Sequence, residues 1–147
     1  MGPFKRPESS LVVIYDQSNK VLLLQRDDDA EFWQSVTGSI EHGESPIITA
    51  YREVAEETGI ELSPRSYSIQ DCHTVNQYRI RSRWQHRYPP GVSINTEYVF
   101  AVCVQTPVKI TLTEHTDYQW LDKRSAMARV WSETNRMAIE KFVPDVS

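Results

Sequence analysis

The run SPIITAYREVAEETGI, from Ser45 to Ile60, constrains the fold of this chain more than any other stretch. Ser45 is a helix N-cap residue, and Pro46 suits the first turn, where a missing N–H costs nothing. Gly59 supplies the left-handed stop. These signals bracket a helix of about 13 residues, and Ile47, Ala50, Tyr51 and Val54 recur at helical spacing to give it a core face.

Most of the remaining chain has strand composition. LVVIY (11–15) and VLLL (21–24) are split by the turn-prone DQSNK and read as a hairpin. RDDDAE is a charged loop, and FWQSVT a short third strand ending at Gly38. SYSIQDCHTVNQY and TEYVFAVCV are two further strands. The Pro- and Arg-rich RIRSRWQHRYPPGVS between them is of a length typical of lids and binding loops. VKITLT and YQWL read as more strands, and SETNRMAIEKFV as a closing amphipathic helix with Ser132 as its N-cap. No repeat or linker divides residues 1–147, so the expectation is one mixed α/β domain in which sheet outnumbers helix.

The helix carries Glu53, Glu56 and Glu57 inside a wedge of roughly 100°. Like charges this close repel, and a basic residue at i+4 would relieve them, but positions 60 and 61 are Ile and Glu. Only Arg52 is nearby. A solvated acidic face is the plain reading, and a site for hard divalent cations such as Mg²⁺ or Mn²⁺ is the functional one.

Net charge of −4 argues against a nucleic-acid partner or an anionic membrane surface, since neither is attracted at long range. The N-terminus lacks the apolar core of a signal peptide, and the longest apolar runs are too short to span a bilayer. Cys72 and Cys103, with no CxxC, read as buried reduced thiols. A cytoplasmic protein is expected and, without a coiled-coil pattern, a monomer.

Gly38, five residues, Glu44, seven residues, then Arg52-Glu53-Val54-x-Glu56-Glu57-x-Gly59-Ile60 resembles the Nudix box at all nine specified positions. The resemblance implies a Nudix α/β/α sandwich, with a mixed central sheet and the box as loop-helix-loop. It also implies hydrolysis of a diphosphate bond with Mg²⁺, or Mn²⁺ as a substitute, held by Glu53, Glu56 and Glu57. Arg52 is then the box arginine that positions the glutamates, and Glu44 pins the loop to the helix N-terminus. Gly38 lets the backbone approach the metal.

Over nearly its whole length the chain is similar to a bacterial branch of that family which acts on 7,8-dihydroneopterin triphosphate in folate biosynthesis. KRPESSLVVIY, LLLQRDDDAEFWQSVTGS, IQDC, HRYPPGVSINTE and TEHTDYQWLD carry the likeness. It implies a further metal ligand at Glu114, with Glu97 as a rival acidic contributor, and it leaves Glu56 and Glu114 as the leading catalytic bases. The same resemblance gives Lys5 and Arg26 as phosphate contacts, and Thr37 as a ligand contact. Tyr78, Arg79, Ile80 and Arg81 open the long loop; a ring there stacks on a pterin while arginines grip the triphosphate. Ser132 is a further ligand contact, although its N-cap role suffices to explain it. His86, Trp84 and Tyr88 shape the loop, His115 is structural, and Trp33 and Trp120 are core residues.

Two other substrates fit the same chemistry, a nucleoside triphosphate such as dATP and a dinucleoside tetraphosphate. A catalytically silent Nudix sensor domain is disfavoured because no box glutamate is lost.

Overall fold

The computed structural model describes residues 4–63 and 65–145; residues 1–3, 64 and 146–147 lie outside it, and with them both ends of the expected 1–147 domain. In chain order the elements are β1 (Glu8–Asp16), β2 (Val21–Arg26), β3 (Trp33–Gln34), β4 (Val36–Ser39), α1 (Pro46–Thr58), β5 (Gln70–Arg79), a 3₁₀ helix (Ser82–Arg87), β6 (Ile94–Val104), β7 (His115–Leu121), α2 (Lys123–Arg129) and α3 (Glu133–Phe142).

β1 is the middle of a seven-stranded mixed sheet ordered β3-β2-β1-β6-β5, with β4 also paired to β1 and β7 to β2. β1 and β6 run parallel, with Val12 opposite Phe100, and the other pairings are antiparallel. The hairpin from β1 to β2 turns where expected. The Asp16 carboxylate accepts the backbone N–H groups of Ser18 and Lys20, and Asn19 takes the left-handed conformation.

β1 is apolar without alternation because both its faces are covered. Val12, Ile14, Leu22, Leu24, Phe100 and Val102 pack beneath Ala50 and Val54 of α1. Leu11, Val13, Leu23, Val99 and Ala101 face the other way, onto Ala126 of α2 and Ala138 and Ile139 of α3. Each fully buried Val or Leu contributes roughly 1.5–3 kcal/mol of transfer free energy. The architecture is therefore helix, sheet, helix, as the family resemblance implied. The α1 boundaries are those read from the sequence, with Gly59 left-handed at its end.

Four expectations fail at the level of elements. FWQSVT is two strands, because the Ser35 N–H leaves the ladder to donate to Asn135 Oδ1 of α3 at 2.9 Å. VKITLT joins no strand: Val108, Ile110 and Leu112 pack on the α1-side core, while the Thr111 N–H donates to the Thr58 carbonyl at the end of α1. α2, absent from the sequence reading, is capped by Asp122, whose carboxylate accepts the Ser125 N–H. The cysteines are free, but neither is fully buried: Cys72 is half-buried and Cys103 exposed. Trp33 is a core residue, and Trp120 packs against the core from partial exposure. No helix among the described residues is long and apolar enough to cross a membrane.

Candidate active site

β4 brings Gly38 against α1 at Glu53. A Cβ built on Gly38 would fall 1.5 Å from Glu53 Oε2, so only a bare backbone admits this carboxylate. One residue earlier on the helix, Arg52 holds the loop that enters it. Its Nε and Nη2 donate to the two carboxylate oxygens of Glu44 at 2.6 and 2.8 Å, and Nη2 also reaches the Ser39 carbonyl at 3.1 Å. Glu44 further accepts the Glu41 N–H and the Thr49 hydroxyl. The Arg52 hydrogen bonds hold its carboxyl down at about 2. Glu44 thus does the pinning expected of it, whereas Ser45 occupies the N-cap position without a side-chain cap bond.

Arg52 Nη1 also donates to Glu56 at 3.1 Å and lies 3.4 Å from Glu53. With one guanidinium serving Glu44, Glu53 and Glu56, the acidic cluster remains short of positive charge. Burial, and then the adjoining Glu56 carboxyl, raise the Glu53 pKa against the pull of Arg52. Glu57 is 5% exposed, and burial first, then Glu53 and Glu114, push its pKa well up; the Thr37 backbone N–H alone opposes them. Its Oε1 is buried with no hydrogen-bond partner. His115 Nε2 stands 3.8 Å from that oxygen, too far for a hydrogen bond, and burial and Arg26 lower the basicity of the imidazole.

An orphaned carboxylate oxygen beside further carboxylates is the donor chemistry of a hard divalent cation. Among the described residues, three or more such groups do not converge as a ready-made cage. A divalent ion can be held by one or two carboxylates with waters and substrate phosphates completing its shell. Glu57, with its orphaned oxygen, fits such an ion, and Glu53, Glu56 and Glu114 line the same cavity.

The carboxylates line an open cavity of about 1700 Å³. Lys5, Arg26, Arg79, Arg81 and Arg87 line the same cavity. Burial, then Arg87 and Arg26, lower the pKa of Lys5. Arg26 is clamped on Asp28 through Nε and Nη2 at 2.7 and 2.8 Å and lies over the Trp84 ring. Arg87 also approaches Asp28, and Arg83 pairs with Asp29, so the 3₁₀ helix is tied to the charged loop before β3. Phe32 stacks on Trp131 at 5.2 Å, Trp84 meets both edge-on, and Arg81 lies over Phe32 and Trp131. Among the described residues Arg79 and Arg81 pair with no carboxylate, which leaves both open to an anionic ligand.

Thirteen of the residues singled out from the sequence line this one cavity: Lys5, Arg26, Thr37, Arg52, Glu53, Glu56, Glu57, Tyr78, Arg79, Ile80, Arg81, Glu114 and Ser132. Glu97 does not; it is buried elsewhere and accepts a hydrogen bond from Asn76. Ser132 caps α3 as expected, its hydroxyl accepting the Asn135 N–H. Sequence reasoning missed Ser9, Asn95, Trp131 and the Asp28 clamp. Trp131 and Asn95 carry no local signal, because long-range packing brings them here; the three aspartates after Arg26 are readable as a clamp.

Comparisons agree with the geometry. The NUDIX domain family model matches residues 5–145. The chain is 48% identical to dihydroneopterin triphosphate diphosphatase of Escherichia coli (strain K12) over 141 residues, 95% of this chain and 94% of that one. It is 38% identical to the protein of the same name from Haemophilus influenzae over 144 residues, 97% and 91% of the two chains. The solved structure of the E. coli dihydroneopterin triphosphate pyrophosphohydrolase superposes with a TM-score of 0.92 at 47% identity, covering 97% of this chain and 98% of the other.

Proposed function

The chain belongs to the Nudix family, and from that premise we propose that it hydrolyses 7,8-dihydroneopterin triphosphate to dihydroneopterin monophosphate and pyrophosphate, a step of folate biosynthesis. It is a hydrolase of a small-molecule phosphate substrate that uses a divalent metal ion. Mg²⁺ is the ion proposed here, with Mn²⁺ as a substitute, in a cytoplasmic monomer whose single domain spans the chain. The observation that carries the substrate is the shared cavity. Carboxylates that call for a cation share it with the unpaired Arg79 and Arg81 and with aromatic rings, in a chain near half identical to enzymes of that name.

In this reading Glu53, Glu56, Glu57 and Glu114 hold the cation. When bound, it neutralises charge on the phosphate chain and acidifies the attacking water. Arg52 orients Glu53 and Glu56 while its bidentate grip on Glu44 keeps the loop from moving. Lys5, Arg26, Arg79 and Arg81 bind the phosphate oxygens, so that charge developing on the leaving pyrophosphate meets fixed guanidinium groups. The proton of the attacking water passes to a carboxylate of the pair Glu56 and Glu114. Thr37, Tyr78, Ile80 and Ser132 shape the remainder of the ligand site.

The test is kcat/KM in Mg²⁺ for 7,8-dihydroneopterin triphosphate, dATP and diadenosine tetraphosphate, with pyrophosphate distinguished from phosphate. Preference for the pterin with pyrophosphate released is the expected result. Preference for either nucleotide overturns the substrate and leaves the hydrolase chemistry in place.

A further inference from the structure

Asn95 of β6 is 2% exposed and lines the cavity, yet it is neither one of its carboxylates nor one of its cations. Its Nδ2 donates to Ser9 Oγ at 2.8 Å and to the Tyr78 hydroxyl at 3.1 Å. Both amide protons are therefore used, and the side chain is held in one orientation by two neighbouring strands. Ser9 on β1 is itself buried, and Tyr78 sits directly opposite Asn95 in the pairing of β5 with β6. What remains is Oδ1, buried and without any partner.

Folded proteins rarely leave such an acceptor unmet, because the lost hydration is not replaced. A phosphate oxygen cannot satisfy it, since a deprotonated phosphate has no hydrogen to donate. A lysine or arginine could, but Arg26 is engaged with Asp28 and Arg52 with Glu44 and Glu56, while Lys5, Arg79 and Arg81 lie exposed at the cavity surface. A buried water can meet it before substrate binds; the ligand group that fits it is a neutral N–H on the edge of a heterocycle, which would displace that water. The pyrimidine edge of a dihydropterin offers two adjacent ones, the ring N–H and the exocyclic amino group.

We propose that Asn95 is the specificity-determining residue for the substrate's ring, its Oδ1 accepting a hydrogen bond from a ring-edge N–H while Ser9 and Tyr78 fix the amide. The proposal rests on the hydrolase reading above and assigns the ring end of the same cavity. Because the ring is remote from the bond that breaks, the contact contributes to binding and is felt equally in the ground and transition states. It is a KM determinant.

The experiment compares Asn95→Ala with wild type on 7,8-dihydroneopterin triphosphate, and in parallel measures inhibition of both by inorganic tripolyphosphate, which has phosphates and no ring. Expected are a KM raised about tenfold, a kcat within about twofold, and an unchanged inhibition constant for tripolyphosphate. An unchanged KM, or an equal loss for tripolyphosphate, overturns the proposal. If Asn95→Ala gives no cooperative thermal transition, Ser9→Ala decides. It frees the amide to rotate and should raise KM a few-fold with tripolyphosphate inhibition unaltered; no rise overturns the proposal. Failure of the substrate reading shows separately, as a wild-type preference for a nucleotide. Ring-edge recognition is then judged on that nucleotide, and an Asn95→Ala KM equal to wild type rejects it.

Discussion

Gly38 and Glu53 approach so closely that a single methyl group between them would sit 1.5 Å from a carboxylate oxygen. The strand and the helix are locked together by the core around Val36, Ala50 and Val54, so neither backbone can retreat cheaply. What yields instead is the Glu53 side chain. Gly38→Ala is expected to fold, with Glu53 turned away from the cavity and kcat down by at least about 10²-fold. A crystal structure and steady-state kinetics of the variant check this; near-native turnover would show that the position of Glu53 does not matter.

Glu57 should be needed for turnover and not for folding. Its carboxylate is buried with one oxygen unpartnered, and Gln keeps the shape while removing the charge. Glu57→Gln is expected to retain the fold and a Tm at least equal to that of the metal-free wild type, while kcat drops by several orders of magnitude. Wild-type-like activity would refute its assignment as a metal ligand.

Metal dependence has a readout that needs no substrate. Binding to the folded state alone raises stability by mass action, so Mg²⁺ added to chelator-treated protein should raise Tm in a concentration-dependent way. Glu57→Gln should blunt that rise. Turnover should vanish in excess chelator and return with Mg²⁺; turnover that persists in chelator points to a metal-free reaction.

Acid should weaken the protein through Glu44. Its folded pKa lies at about 2, held down first by the Arg52 hydrogen bonds, against an ordinary value of 4.5. A depressed carboxyl contributes stability above its unfolded pKa and loses it as pH falls through the folded one. The loss therefore runs from about pH 4.5 to about pH 2. Glu44→Gln should lower stability by about 1–3 kcal/mol at neutral pH and flatten the acid limb of the denaturation curve. An unchanged acid limb would mean that the Arg52 contact adds no net stability.

Phe32 carries the aromatic floor under Arg81 and Trp84. Truncating it to Ala should loosen the loop between β5 and β6 and raise the substrate KM by roughly five- to tenfold, with a smaller effect on kcat. Equal changes in KM and kcat would place the stack in the chemical step instead.

The helix from Pro46 to Thr58, its αL stop and the carboxylates on one of its faces were legible because each depends on residues within a few positions of one another. The same holds for the β1–β2 hairpin, whose turn is closed by its own Asp16. VKITLT has the alternation of a strand and its apolar side chains are packed accordingly, but it pairs with no strand; its Thr111 N–H goes to the end of α1. FWQSVT was divided by Asn135, a hundred positions away. Asn95 is one more polar residue in a strand until the fold seats it between Ser9 and Tyr78 with an oxygen left over. Local propensity and spacing act through neighbours in the chain. Pairing partners, buried acceptors and the gathering of acidic and basic side chains into one cavity depend on which distant backbones close around them, and only the packed sheet decides that.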